Sequence, residues 1–136
     1  MPFVILSKNI TPKTVDSNPD KIFIFGDNCR RAGNGGQAYA CRGKKNTIGL
    51  ATKHSPGGAP EDFFEETPED LILFCEEILR VEHLAKTELL KGKTVVWLEG
   101  IGMGLAGLGG KPIYVFLINQ LKENLRNYSL KEHQYE

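Results

Sequence analysis

An apolar, β-prone run, Ile22-Phe23-Ile24-Phe25, halts at Gly26 and is followed by Asp27, Asn28, two arginines and a loop in which Gly33, Gly35 and Gly36 surround Asn34. Consecutive large apolar residues without alternation suit a strand buried on both faces, which needs helices packed above and below it. Gln37-Ala38-Tyr39-Ala40-Cys41 then starts a short helix, expected over about residues 36–42. Glycines at such a turn admit positive φ and let a ligand approach the backbone amides closely. A strand end, a polar tip, a glycine turn and a helix start together form a cradle for an anion. The bland alternative, a surface turn that only joins strand to helix, needs far less glycine.

The rest of the chain repeats this grammar. Further strands are expected at residues 3–6, 21–25, 47–51 and 94–98. Residues 7–20, with Pro12 and Pro19, form a connection with room for a short helix. Thr67 caps a helix that Pro68 opens and that runs to about Leu90, before Gly92. Its expected inward face is Leu71, Ile72, Phe74, Cys75, Ile78, Leu79 and Val81. The strand at 94–98 ends in a second glycine loop, residues 100–110, after which Pro112 opens a final helix. Ile113, Val115, Phe116, Ile118 and Leu121 are expected inward there, and a polar tail is expected after Asn127. Strands alternating with helices imply an α/β fold, with the ligand crevice at the carboxyl ends of the strands.

Charge and cysteine content narrow the function classes. The 136 residues suffice for one domain with a real core. Lys and Arg total 17 and so do Asp and Glu, a balance that speaks against a general nucleic-acid or anionic-membrane binder. Between residues 27 and 58 the cations Arg30, Arg31, Arg42, Lys44, Lys45 and Lys53 meet one acid, Asp27, and this basic block surrounds the first glycine loop. The acids from Glu61 to Glu77 read as a solvated face. Cys29, Cys41 and Cys75 form no C-x-x-C, and His54, His83 and His133 lack ligand spacing, so neither a disulfide framework nor a metal site is indicated. The first apolar stretch is only residues 3–6, too short for a signal peptide or a membrane span. A reduced, cytoplasmic protein is expected.

Familiar glycine motifs fit poorly. Gly102-x-Gly104-x-x-Gly107 matches the dinucleotide fingerprint, but no strand follows to carry the acid that reads the ribose. A Walker A loop fails because Pro112 follows Gly110-Lys111 and Leu105 stands at the first glycine. No nucleophile elbow is present. Cys29 has arginine neighbours that could lower its pKa, but no clear base beside it.

Taken together, the two loops resemble those of the macro domain, an ADP-ribose-binding family. Ser7-Lys8-Asn9-Ile10-Thr11 is similar to its Gly-Asp-Ile-Thr turn. Phe25-Gly26-Asp27-Asn28 with Gly33-Asn34-Gly35-Gly36-Gln37-Ala38 is similar to its Asn-Ala-Ala-Asn strand end and glycine run. Residues 99–108 are similar to its second phosphate loop, Ile-Ser/Gly-Thr-Gly-x-x-Gly. Order and spacing most resemble the compact macro-like proteins of bacteria and their phages. Two departures stand out: Asn9 replaces an aspartate that accepts from the adenine amino group, and only Asn28 remains of an asparagine pair.

The resemblance implies one three-layer α/β domain over residues 1–127, a mixed central sheet with helices on both faces, and a polar tail over 128–136. It implies a small-molecule ligand of the ADP-ribose type, free or attached to a macromolecule, with no cofactor, and host cytoplasm as the location if the protein is phage-borne. Asn9, Ile10, Gly26, Asn28, Gly33, Asn34, Gly35, Gly36, Gln37 and Lys53 would contact the ligand from the first half. Gly100, Ile101, Gly102, Met103, Gly104, Leu105 and Ala106 would do so from the second. Two functions stay open. In the first, the protein hydrolyses an ADP-ribosyl bond or ADP-ribose 1″-phosphate, with Asp27 and Asn28 as catalytic residues. In the second, it binds the ligand without turning it over.

Overall fold

The computed structural model describes residues 2–134, in the order β1 (Phe3–Leu6), α1 (Pro12–Asp16), β2 (Lys21–Asp27), α2 (Ala38–Cys41), β3 (Thr47–Ala51), α3 (Pro68–Leu90), β4 (Thr94–Leu98) and α4 (Pro112–Gln134). The strands form one sheet in the order β1-β4-β2-β3. Every strand pair is parallel, so the expected mixed sheet is corrected. Each strand returns to the sheet through a helical crossover, and a crossover brings the next strand in parallel. Among the described residues the antiparallel pairing is confined to the isolated bridge between Lys53 and Phe63.

Side-chain alternation divides the core into two layers, giving a three-layer α/β domain. Ile22, Ile24, Leu50, Val95 and Trp97 face Phe74 and Val81 of α3 and Tyr114, Ile118, Leu121 and Leu125 of α4. Phe23, Phe25, Val96 and Leu98 face Val15 of α1 and Ala38, Ala40 and Cys41 of α2. The unbroken apolar run of β2 thus serves both layers.

The long helices begin as expected: Thr67 Oγ1 accepts from Asp70 N–H (3.3 Å) and Pro68 opens α3. Their inward faces differ from expectation. Ile72 and Leu79 are more than 60% exposed, Cys75 is exposed, and Glu77 lies buried. On α4, Ile113 and Phe116 are exposed while Tyr114 and Leu125 are buried. A helix offers one stripe to the sheet, and here the apolar residues occupy more than one stripe. The tail expected from residue 128 is helical through Gln134, because Ser129 is buried and the Tyr128 ring packs beneath Lys86 Nζ. Residues 135–136 lie outside the described residues. No helix among those described is long and apolar enough to cross a membrane.

Glu77 explains its own burial. As an edge strand, β3 leaves backbone groups unpaired, and edges of this kind template unwanted pairing. Glu77 Oε1 accepts from Ala51 N–H (2.9 Å), while Arg80 Nη2 and Arg31 Nη1 donate to Gly49 O. The same arginines close on the carboxylate, Arg31 Nη2 at 2.9 Å and Arg80 Nε at 2.9 Å. Desolvation pushes the Glu77 pKa up, but the hydrogen bonds from Arg80, Ala51 N–H and Arg31 outweigh it and hold the carboxyl below its ordinary 4.5. The stabilisation is therefore fully present above about pH 4.5 and is lost as pH falls through the depressed native value. Melting curves should show wild type losing stability in that acid window, and Glu77→Gln, less stable at neutral pH, losing less of it.

Candidate functional site

The loops after β2 and β4 leave neighbouring strands of the sheet and face one another across its carboxyl edge, where α/β sheets hold their ligands. Two clefts open there. The first, of about 290 Å³, lies between residues 26–28 and 32–38 on one side and Gly100, Gly102, Gly104, Leu105 and Ala106 on the other, with Arg42, Thr52, Lys53 and Pro56 completing it. The second, of about 540 Å³, is walled by residues 6–10, Tyr39, Leu98 and Glu99. Gly36, Gln37, Gly100 and Gly104 belong to both, so the clefts meet at a waist made largely of glycine backbone.

The waist is rich in unused donors. The backbone N–H groups of Asn34, Gly35, Gly36 and Gln37 donate to no acceptor among the described residues, nor do those of Gly104, Leu105 and Ala106. These amides, rather than helix ends, are the free donors of the clefts. A helix of four residues such as α2 carries little macrodipole, and α4 begins beyond the clefts. At Gly102, φ is +80° and a Cβ would press on Ile118, Leu108 and Thr52. Gly35 and Gly104 are different: neither has positive φ, so a side chain at either position brings no left-handed backbone strain. A Cβ at Gly104 would meet nothing within 4 Å.

Gln37 fixes the spacing of the two loops. Its Oε1 accepts from Gly26 N–H (2.7 Å) and its Nε2 donates to Glu99 O (2.9 Å), stitching the end of β2 to the end of β4. A side chain expected to contact ligand therefore spends its amide on the scaffold.

Asp27 and Asn28 do the same. The Asp27 carboxylate is 3% exposed; Oδ1 accepts from Asn28 N–H (2.8 Å) and pairs with Arg42 Nη2 (2.6 Å), while Arg31 Nη1 lies 3.6 Å from Oδ2. The carboxylate lies against Gly49, where any Cβ would collide with it. Asn28 Nδ2 donates to Ala32 O (2.8 Å), and its Oδ1 accepts from Arg30 N–H (3.1 Å). Both side chains brace the turn that carries the glycines.

Much of the basic block is likewise internal. Arg42 donates from Nε to Gly33 O (2.9 Å) and from Nη2 to Ala32 O (3.0 Å) besides holding Asp27. Arg31, with φ of 54°, adopts a conformation that costs a non-glycine residue roughly 1–2 kcal/mol, and its guanidinium is anchored on Glu77. Lys44 pairs with Asp16. Lys53 stands at the first cleft, its Nζ donating to Gly57 O (2.6 Å) over the Phe63 ring. Beside it, Asp62 folds residues 55–62: hydrogen bonds from Ser55 Oγ and Ala59 N–H hold its carboxyl low. The Cys29 thiol is pushed up by burial and then by the Glu77 carboxylate, against the lowering expected from its arginines, so it is a poor thiolate.

The structure brings together every expected ligand contact except two. Ile101 is buried in the core and Met103 is exposed, and neither lines a cleft. Asn9 and Ile10 wall the second cleft, the rest of the expected contacts the first or the waist. Arg42, Thr52, Pro56, Tyr39 and Glu99 are cleft residues that sequence reasoning missed. Arg42 carried a signal, since it stands in the basic block, but nothing local points a strand-end threonine or a loop proline at a cleft.

A family model described as a family of unknown function (DUF7831) matches residues 5–119. No curated protein and no solved structure matches the chain.

Proposed function

The chain belongs to DUF7831, and from its geometry we propose that it binds a ligand of the ADP-ribose type, with the diphosphate at the glycine waist. The carrying observation is the shared waist: two clefts joined by backbone donors suit a molecule with a group at each end and anionic charge between them. The second cleft, with apolar Leu6, Ile10 and Leu98 beside polar Asn9, suits a nucleoside, and the first suits the second sugar. The resemblance of the loops to the macro domain makes ADP-ribose the first ligand to test.

Holding the ligand is favoured over hydrolysing it. A general base must reach the attacking water, and the acid at the first cleft, Asp27, has its oxygens engaged by Arg42, Arg31 and Asn28 N–H. Calorimetric titration should give ADP-ribose a clearly tighter dissociation constant than AMP, which spans one cleft and brings one phosphate. Equal affinities, or no binding of either at millimolar concentration, reject the reading. Release of ADP-ribose from modified protein or DNA by the wild type would replace the binder with a hydrolase.

A further inference from the structure

We propose that the outer edge of β1 is a self-association surface, through which two copies of this chain join their sheets antiparallel about Val4. The two edges of the sheet are treated differently. At β3 the unpaired backbone groups are capped by Glu77, Arg31 and Arg80. At β1, which is paired with β4 alone, no side chain caps the edge among the described residues, and Phe3-Val4-Ile5-Leu6 contains no charge, proline or glycine to blunt it.

The hydrogen-bond register names the free groups. Val95 N–H donates to Pro2 O (2.7 Å) and Glu99 N–H to Leu6 O (2.9 Å), so the even-numbered residues turn toward β4. Backbone direction alternates along a strand, and Phe3 and Ile5 therefore send their N–H and C=O groups outward. These residues flank Val4 symmetrically. A two-fold axis through Val4 sets Phe3 of each copy opposite Ile5 of the other, where each antiparallel pair exchanges both of its hydrogen bonds. Val4 and Ile5, 36% and 39% exposed, then gain apolar cover from the second copy. A second copy is the fitting occupant because it carries the matching free row by symmetry, and the uncharged strand sets no like charges opposite one another. Since the paired strands run in opposite directions, the clefts of the two copies lie at opposite ends of the joined sheet.

Sedimentation velocity across the micromolar range is the test. Wild type should sediment as a concentration-dependent dimer. Val4→Lys places two lysines face to face on the axis and should give a monomer with unchanged circular dichroism, as should Val4→Glu. An equimolar mixture of the two variants should restore the dimer, because lysine then faces glutamate. A monomeric wild type overturns the proposal, and so does a dimer that survives both substitutions or a mixture that stays monomeric.

Discussion

Gly104→Val is expected to weaken ADP-ribose binding at least ~100-fold, about 3 kcal/mol, while the melting temperature stays within about 2 °C of wild type. Both halves of this result follow from the position of Gly104. It lacks positive φ, so a side chain adds no backbone strain, and a Cβ there would meet no atom within 4 Å. The space it would enter is the waist shared by the two clefts. A valine there would exclude the diphosphate from the free amides of residues 104–106 without disturbing the core. Gly102 cannot serve the same purpose, because a side chain there meets Ile118, Leu108 and Thr52 as well as an unfavourable φ. Unchanged affinity in folded Gly104→Val would show that the second loop is scaffold and would overturn the proposed site. Titration calorimetry paired with differential scanning calorimetry reads both quantities.

Asp27→Asn should destabilise the fold by about 3 kcal/mol, a drop of ~10 °C in melting temperature. The amide can still accept from Asn28 N–H, but it leaves Arg42, 21% exposed, without its counter-charge. Arg42 also holds Gly33 O and Ala32 O, so the first glycine loop should loosen and ligand affinity should fall together with stability. A catalytic base would behave differently: the same change would cost at least ~10²-fold in turnover and leave affinity intact. A variant that melts like wild type and binds like wild type would remove Asp27 from the scaffold and return it to the chemistry.

The lesson from these two residues is general to the site. Where one amino acid dictates local backbone behaviour, the sequence was a good guide. Phe3 to Leu6, Thr47 to Ala51 and Thr94 to Leu98 are strands with the expected bounds, and α3 keeps its Thr67 cap and Pro68 start. Propensity, capping and glycine placement act within a few residues, so they can be read along the chain. The two glycine loops were legible for the same reason, together with the crevice that an α/β order places between them.

Direction and partnership were not legible, because they depend on residues far apart in the chain. The parallel sheet, the choice of one apolar stripe on α4 over another, and the burial of Glu77 each required the folded neighbours. Asp27, Asn28 and Gln37 have the side chains expected of a site, and local sequence reads them as catalytic or ligand-binding, while Arg42 stands only in the basic block. Asp27 is instead taken up by Arg42 and Asn28 N–H, Gln37 by Gly26 N–H and Glu99 O, Asn28 by Ala32 O, and Arg42 by Gly33 O. A polar side chain binds whichever partner the fold brings nearest, and the buried Asp27 and Asn28 side chains, shut off from water, must find theirs within the protein. That requirement makes the polar residues of this site its framework and leaves the glycine amides as its free donors.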